Sequence, residues 1–390
     1  MDHVVKLTIN GRFLSPGVQA SGVQRVAREL LFALDDLLAS DATLRGALSC
    51  RVLVPDVSTP TKLALKAIHV ESTGPWARAA GGNLWEQLML PVRARNDMLV
   101  NLCNVGPWLH RNALTMMHDA QVWSSPASYS RAFRAWYRLL QPSLGRRHQA
   151  ILTVSRFSRE QLYSHGVAEA SRIHVIPNGC DHVLRVQPDP ALLQALGLAG
   201  RKYVVALSST QAHKNIGVLL EAFESPALRD VLLVLFGSAD RGAFESGGRS
   251  LPANVRFAGR VNDEQLVGLL QAAAVFAFPS TTEGFGLPPM EAMALGCPVI
   301  VAPCGALPEV CGEAALRASP DAPSQWVQQI LRLCEDSEYA RMLRQRGLQQ
   351  AYRFTWKNSA KILLQVIFKH GRSMGQQLQS DQPNATLIES

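Results

Sequence analysis

Residues 276–310, FAFPSTTEGFGLPPMEAMALGCPVIVAPCGALPEV, indicate the fold class of this 390-residue chain. An apolar run ends at Pro279 and a glycine-bearing loop follows. Pro288 and Pro289 then open a helix that Gly296 closes, because proline suits the first helical turn and glycine the end. Loops at the carboxyl ends of parallel strands form the ligand crevice of α/β sheets. We therefore predict a ligand-binding loop here.

Backbone amides and two carboxylates near this loop are candidate ligand contacts. Four amides at or just before the positive end of the helix could bind a diphosphate; they belong to Gly284, Phe285, Gly286 and Leu287. Glu283 and Glu291 are predicted to face the same crevice, with Glu291 in the first helical turn. They could hold vicinal hydroxyls, since an ionised carboxylate accepts several hydrogen bonds. The alternative is two acids favoured only by their loop and helix positions.

Strand and helix signals alternate along the whole chain. VVKLTIN begins the first series, and YVVALSS at residue 203 restarts it after a polar, proline-containing stretch. Such alternation predicts α/β domains with parallel sheets and helices on both faces. We predict a first domain over 1–180, a linker over 181–200 and a second domain over 201–355. A helix over 356–371 and a disordered tail over 372–390 follow.

Composition limits the setting and the chemistry. No apolar run reaches the length of a membrane-spanning helix, and the start has a strand pattern rather than that of a signal peptide, so we expect a cytoplasmic protein. Seven cysteines occur singly, without Cys-x-x-Cys, which favours reduced thiols. Cys297, Cys304 and Cys311 recur at intervals of seven, but no nearby His or fourth Cys completes a tetrahedral set, so no metal site is predicted.

Charge is distributed unevenly between the two halves. Residues 1–180 carry 20 Lys and Arg against 12 Asp and Glu, and residues 181–390 carry 19 of each, so the first half holds the whole excess of +8. This predicts an anionic partner for the first domain: a membrane surface, a phosphorylated acceptor or nucleic acid. No recognised nucleic-acid-binding motif accompanies the charge, so no nucleic-acid partner is expected.

One basic stretch, RAFRAWYRLLQPSLGRR at 131–147, has the pattern of an amphipathic helix. Arg131, Arg134 and Arg138 lie at helical spacing, with Trp136 among the apolar residues between them. Such a helix could lie on an anionic bilayer. The alternative is an ordinary amphipathic helix that packs on its own domain.

Taken together, these motifs resemble glycosyltransferase family 4. The similar stretches are the loop and helix above and SGVQRVAREL, HDA at 118–120, TVSRFSRE at 153–160, VIPNGCD at 175–181, HKNIGVLLEAF at 213–223, FAGRVNDEQL at 257–266 and the helix that Trp356 opens. Their order and spacing agree with the family over nearly the whole chain. The resemblance implies the GT-B fold: two Rossmann-like domains that face each other across a cleft, with a C-terminal helix that crosses back to the N-terminal domain.

The resemblance also implies roles for individual residues. Glu291 would bind the ribose of a nucleotide, Glu283 the transferred sugar and Lys214 the diphosphate. His118, at the end of the apolar run LTMM, would contact the sugar near its anomeric centre, with Asp119 either orienting the imidazole or capping the next turn. Glycines in the first loop, Gly17 and Gly22, permit close approach of the backbone to phosphate or sugar.

One position departs from the family pattern. The family often has an arginine five residues before the lysine, whereas this chain has Ser209. Hydroxyls of Ser208, Ser209 and Thr210, helix-end amides or another cation such as Arg260 are the candidates to compensate.

The implied function is a retaining glycosyltransferase that uses a nucleotide-sugar and no obligatory metal, in keeping with the lack of Asp-x-Asp. Its acceptor would be a glycan or lipid-linked sugar of a bacterial surface polysaccharide, bound by the N-terminal domain at the inner face of the membrane. The opening sequence most resembles family members that extend bacterial surface glycans, often with mannose or a deoxyhexose from GDP-linked donors. This resemblance favours mannose from a GDP-sugar, with UDP-glucose and other UDP-sugars as the alternatives. The alternatives are a sugar-nucleotide epimerase or phosphorylase of the same fold, and a catalytically weak scaffold of a glycan-assembly complex.

Overall fold

The computed structural model describes residues 4–15, 22–55, 64–74, 82–246 and 251–380, with side chains up to residue 371. Within these ranges the chain forms two parallel sheets. The first contains β1 (Val5–Asn10), β2 (Leu48–Val54), β3 (His69–Ser72), β4 (Met98–Asn101), β5 (Ala113–Met116), β6 (Ala150–Thr153) and β7 (Ile173–Val175). The second contains β8 (Tyr203–Ser208), β9 (Leu232–Gly237), β10 (Val255–Gly259), β11 (Val275–Phe278), β12 (Val299–Val301) and β13 (Leu316–Arg317).

Both sheets have the Rossmann-like strand order. The first runs β3-β2-β1-β4-β5-β6-β7 and the second β10-β9-β8-β11-β12-β13, so the direction of winding reverses between β1 and β4 and between β8 and β11. Ligands bind at such reversal points, outside the carboxyl ends of the strands. Central strands such as β4 and β11 are buried at every residue. Helices cover both faces, which accounts for their continuous apolar sequences.

Helices connect the strands. In the described part of the chain the α-helices are Gly22–Ser40, Ala42–Ala47, Leu90–Arg93, Gln121–Ser124, Arg131–Arg147, Arg156–Ser164, Ala191–Ala195, Ile216–Ala222, Arg241–Glu245, Asp263–Ala272, Leu287–Ala294, Leu307–Cys311, Pro323–Glu335, Ser337–Tyr352 and Trp356–Ser380. A π-helix covers Trp85–Met89. Short 3₁₀ turns occur at Gly11–Leu14, Pro126–Ser128, Ala170–Arg172, Asp181–Arg185, Ala212–Lys214, Pro226–Leu228 and Gly312–Ala314.

The last helix, Trp356–Ser380, crosses back to the first domain and packs on the helix Gly22–Ser40. Its first residue packs closely on Gly179, where a Cβ would lie 2.2 Å from the Trp356 backbone nitrogen, and that nitrogen donates to Asp181 Oδ1 at 2.8 Å. The fold class and the crossover helix predicted from the sequence are thus confirmed. The helix continues past residue 371, where the sequence predicts its end, and residues 381–390 of the predicted tail lie outside the described range. The predicted domain boundaries stay predictions.

Candidate active site

A cavity of about 470 Å³ lies between the two domains; we call it the cleft. It adjoins the residues that follow β8 and β11, the reversal point of the second sheet. The first domain contributes Gly22, His118 and Asp119 to its lining, and the second contributes Lys214 and Glu283. Residues of both domains that the sequence predicts to bind ligand are therefore brought together around one space.

The loop after β11 ends in a glycine that the geometry requires. Gly286 precedes the helix Leu287–Ala294 with φ +91°, in the left-handed region, and a Cβ there would lie 2.4 Å from Leu307 Cδ2. Gly284, Phe285, Gly286 and Leu287 all line the cleft at the positive end of this helix. The prediction that Glu291 lies in the first turn is wrong. The helix begins at Leu287, so Glu291 falls in its second turn.

Two serines of the first domain bind this loop. Ser155 Oγ donates to the Gly284 carbonyl at 2.6 Å, and Ser158 Oγ lies 3.1 Å from the same oxygen and 3.0 Å from the His118 carbonyl. A Cβ on Gly284 would lie 2.5 Å from the His118 carbonyl oxygen. The sequence alone indicates no role for these serines, although they belong to the TVSRFSRE stretch. They hold the loop against the strand-end histidine.

Lys214, the candidate diphosphate contact, forms an ion pair with Glu283, the candidate sugar contact. Lys214 Nζ donates to Glu283 Oε1 at 2.7 Å, and both side chains are largely buried. An ammonium has three protons to donate, so this bond leaves donors for a phosphate oxygen. The sequence predicted both residues but not their contact.

Glu291 is anchored away from the cleft lining. Its Oε1 lies 3.0 Å from His182 Nε2, and Trp356 Nε1 donates to His182 Nδ1 at 3.1 Å. Because Nδ1 accepts, the imidazole proton lies on Nε2, which donates to the carboxylate. Glu291 is 6% exposed, and its second oxygen is left for another donor. Its predicted ribose contact stays a prediction, and nothing local in the sequence indicates His182 as its partner.

His118 is a neutral, oriented imidazole. Nε2 lies 2.9 Å from the Leu102 carbonyl, which can only accept, so Nδ1 is free to accept a hydrogen bond. Burial lowers the pKa of His118 from 6.5 to about 4. Asp119 accepts from the Gln121 backbone N–H at 2.9 Å, so of the two predicted roles it caps the following turn. Burial raises the pKa of the Asp119 carboxyl.

The other residues predicted to bind ligand do not all line the cleft. Gly22 begins its helix and lines the cleft; Gly17 lies outside the described residues. Ser209 accepts from the Gln211 backbone N–H at 3.2 Å and does not line the cleft, and Arg260 is exposed and also outside it. Among the described lining residues, Lys214 is the only lysine or arginine. No second lysine or arginine of the described lining therefore stands in for the missing family arginine.

The basic helix Arg131–Arg147 has two sides. Tyr129, Phe133 and Tyr137 stack in series, with ring centroids 5.3 and 4.2 Å apart, and line the cleft. On the other side Trp136 is 55% exposed and Leu139 is 71% exposed. The three arginines predicted to contact a membrane therefore differ in their surroundings. Arg131 is exposed and Arg134 is half-buried, whereas Arg138 donates from Nε and Nη2 to the Val122 carbonyl.

Further bonds between the domains flank the cleft. Arg25 donates to both oxygens of Asp263, at 3.0 and 2.5 Å, and this pairing lowers the pKa of the Asp263 carboxyl. The Glu309 carboxylate accepts from the backbone N–H groups of Arg156 and Phe157 at 3.0 and 3.1 Å, at the positive end of a first-domain helix. The described structure is thus a closed arrangement of the two domains.

Comparison with known proteins identifies the family of this chain. Residues 191–350 match the family described as glycosyl transferases group 1, and residues 98–184 match glycosyltransferase family 4. O-antigen chain mannosyltransferase B of Escherichia coli is 33% identical over 265 residues, which cover 63% of this chain and 67% of that protein. The chain belongs to glycosyltransferase family 4. The resemblance inferred from the motifs is therefore confirmed.

Two further proteins are similar to this family 4 glycosyltransferase. O-antigen chain mannosyltransferase RfbU of Salmonella typhimurium is 26% identical over 63% of this chain and 67% of its own. Sucrose-phosphate synthase of Thermosynechococcus elongatus superposes with a TM-score of 0.68 at 19% identity, over 97% of this chain and 100% of that one. The latter supports the GT-B fold alone. No helix in the described ranges is long and apolar enough to cross a bilayer.

Proposed function

We propose that this enzyme transfers a hexosyl residue, with mannose preferred, from a GDP-sugar to a glycan or lipid-linked acceptor of a bacterial surface polysaccharide, with retention of configuration. The observation that carries the proposal is the cleft itself. Lys214 and the amides of the loop after β11 lie opposite a neutral His118 across the domain interface. The preference for mannose draws on the two O-antigen mannosyltransferases to which the chain is similar.

The arrangement suits departure of a nucleoside diphosphate. As the bond from the anomeric carbon to the phosphate oxygen breaks, the electron pair passes to that oxygen, where Lys214 and the helix-end amides stabilise the charge. The acceptor oxygen bonds to the anomeric carbon on the same face, and its proton goes to the departing phosphate oxygen. His118 Nδ1 accepts from a sugar hydroxyl, and Glu283 binds the sugar once phosphate engages Lys214. None of these steps calls for a metal.

We also propose a peripheral position at the cytoplasmic face of the cell membrane. Exposed Trp136 and Leu139 beside Arg131 suit insertion into an anionic surface. Arg138 is exposed as well, and only two of its five N–H groups donate to the Val122 carbonyl, so it keeps donors for a lipid phosphate. Binding to vesicles with and without anionic lipid tests it, and a W136S/L139S variant that binds them as wild type does would contradict it.

The test of the transfer is a panel of GDP-, UDP- and dTDP-sugars, measured by calorimetry and by release of nucleoside diphosphate, with and without a membrane lipid extract. Binding of GDP-mannose with lipid-dependent release is the expected result, and the anomeric signals of the product by NMR report retention. Release from a UDP-sugar alone would reassign the donor. Acceptor-independent conversion would favour an epimerase or phosphorylase, and binding without release would favour a scaffold.

A further inference from the structure

We propose that a second cavity, at the reversal point of the first sheet, binds an uncharged pyranose of the acceptor; this rests on the proposed transferase function. The cavity has a volume of about 310 Å³ and is lined by residues that include Asn10, Arg12, Glu86, Leu102 and Asn104. We call it the acceptor pocket. β1 ends at Asn10 and β4 at Asn101, immediately before Leu102, so the pocket lies where α/β sheets bind ligands. Its volume is at the lower end of ligand-binding pockets.

The acceptor pocket opens beside the cleft. The two cavities share Val23, Asn104 and Tyr137 in their linings. His118 connects their walls, because its backbone N–H donates to Asn104 Oδ1 at 2.8 Å and its Nε2 donates to the Leu102 carbonyl at 2.9 Å. A sugar in the acceptor pocket would therefore present a hydroxyl next to the residue proposed to contact the transferred sugar.

A buried chain of hydrogen bonds orients the polar groups of the acceptor pocket. Pro107 offers only a carbonyl, so the His148 Nε2–H donates to it at 3.1 Å and His148 Nδ1 must accept from Thr115 Oγ at 2.8 Å. Burial lowers the pKa of His148 to about 4, which keeps this ring neutral. Thr115 Oγ in turn accepts from Asn101 Nδ2 at 3.0 Å.

This series of hydrogen bonds ends at the Glu86 carboxylate. Asn101 Oδ1 accepts from Asn10 Nδ2 at 3.0 Å, and Asn10 Nδ2 donates its other proton to Glu86 Oε1 at 2.7 Å. Glu86 Oε2 accepts from Arg12 Nη1, also at 2.7 Å. Glu86 is 4% exposed and belongs to the π-helix Trp85–Met89, a distortion often found at functional sites. The donor and the acceptor of each hydrogen bond in this series are fixed, so the Glu86 carboxylate can only accept.

The charges in the acceptor pocket favour an uncharged ligand. Among its described lining residues, Arg12 and Glu86 carry the only formal charges, and they neutralise each other. A carboxylate has about four lone-pair sites, so roughly two remain for the ligand, and a guanidinium has five N–H donors. Vicinal hydroxyls can donate to the first and accept from the second. A phosphate group would repel Glu86, so this pocket does not select a phosphorylated acceptor.

The test is direct binding, measured by NMR titration of the full chain with methyl α-D-mannopyranoside, methyl N-acetyl-α-D-glucosaminide and mannose 6-phosphate. The variants are Glu86→Gln, Arg12→Met and the control Glu71→Gln. Glu71 is likewise paired with an arginine of the first domain, at 2.7 Å, but does not line the pocket. Thermal unfolding checks that each variant folds. If Glu86→Gln fails to fold, one-third-exposed Arg12 carries the test.

We expect at least one uncharged glycoside to bind wild type and the control equally. Binding should weaken roughly tenfold in Glu86→Gln and Arg12→Met, which corresponds to about 1.4 kcal/mol. Mannose 6-phosphate should bind more weakly than the uncharged mannoside. The proposal is overturned if neither glycoside binds wild type, if the variants match Glu71→Gln, or if the phosphorylated sugar binds best. Nucleotide binding is measured separately, by calorimetry of the wild-type protein with GDP and UDP. If a glycoside binds but neither nucleotide does, the proposed donor site is refuted and the acceptor pocket is not.

Discussion

Replacing Gly284 by Ala should hinder domain closure without unfolding either domain. The added Cβ would lie 2.5 Å from the His118 carbonyl oxygen, 3.0 Å from Asp119 Cβ and 3.1 Å from Ser158 Oγ, all in the opposite domain. Backbone oxygen cannot move aside as a flexible side chain can, so the two domains must separate slightly. Overpacking of this kind costs about 1–3 kcal/mol. Because the clash exists only when the domains meet, that cost falls on the closed arrangement.

A free-energy cost of this size shifts the closing equilibrium by roughly 5- to 150-fold. We expect kcat/KM for sugar transfer to fall within that range, while the unfolding temperature changes little and the affinity for nucleoside diphosphate is largely kept. Small-angle X-ray scattering should detect a larger radius of gyration. The control is Gly46→Ala in the helix Ala42–Ala47, where a Cβ would meet nothing within 4 Å. Unchanged transfer and scattering in Gly284→Ala would refute the reasoning.

Three further results are expected. Lys214→Met should slow nucleoside diphosphate release by about 10²–10³-fold, the cost of losing one donor to a developing charge; release close to the wild-type rate would exclude this role. Glu291→Ala should weaken nucleotide binding in calorimetry, whereas Glu283→Ala should chiefly slow transfer, and wild-type behaviour of both would contradict the assignment. Burial lowers the pKa of His118, His148 and His213 from 6.5 to about 4. The unfolded chain therefore binds more protons below pH 6.5, so the unfolding temperature should fall from pH 6.5 towards 4; a flat profile would disprove the linkage.

The sequence was sufficient where the decisive interactions are local. β11 is a continuous apolar run, and the glycines and prolines after it mark a loop and a helix start, so this element could be predicted almost to the residue. The misplacement of Glu291, which comes from a helix start one residue earlier than predicted, has a local cause as well. Gly286 adopts a left-handed conformation and lets the helix begin at Leu287, before the two prolines that the prediction took as its start.

The pairings within the site could not be predicted, because they join residues far apart in the chain. Ser155 and Gly284 are 129 positions apart, and His182 and Glu291 are 109 apart. Each member has an ordinary local explanation: a helix cap for Ser155, a turn residue for His182. Only the packing of the two domains and the returning helix brings them into contact. The His182–Trp356 bond ties Glu291 to that helix, which no spacing in the sequence indicates.

The two cavities follow from the same feature of the fold. Each sheet reverses its winding beside its first strand, and each reversal leaves a gap at the carboxyl ends of two strands that no connecting helix covers. In the second sheet the gap holds Lys214 and Glu283, and in the first it holds Asn10 and Glu86. Facing the domains towards each other sets these gaps side by side, with His118 between them. Transfer between two bound sugars needs adjoining sites of this kind, so the proposed donor and acceptor positions follow from the pairing of the two sheets, and side chains such as Lys214 and Glu86 supply the chemistry and the selectivity at each site.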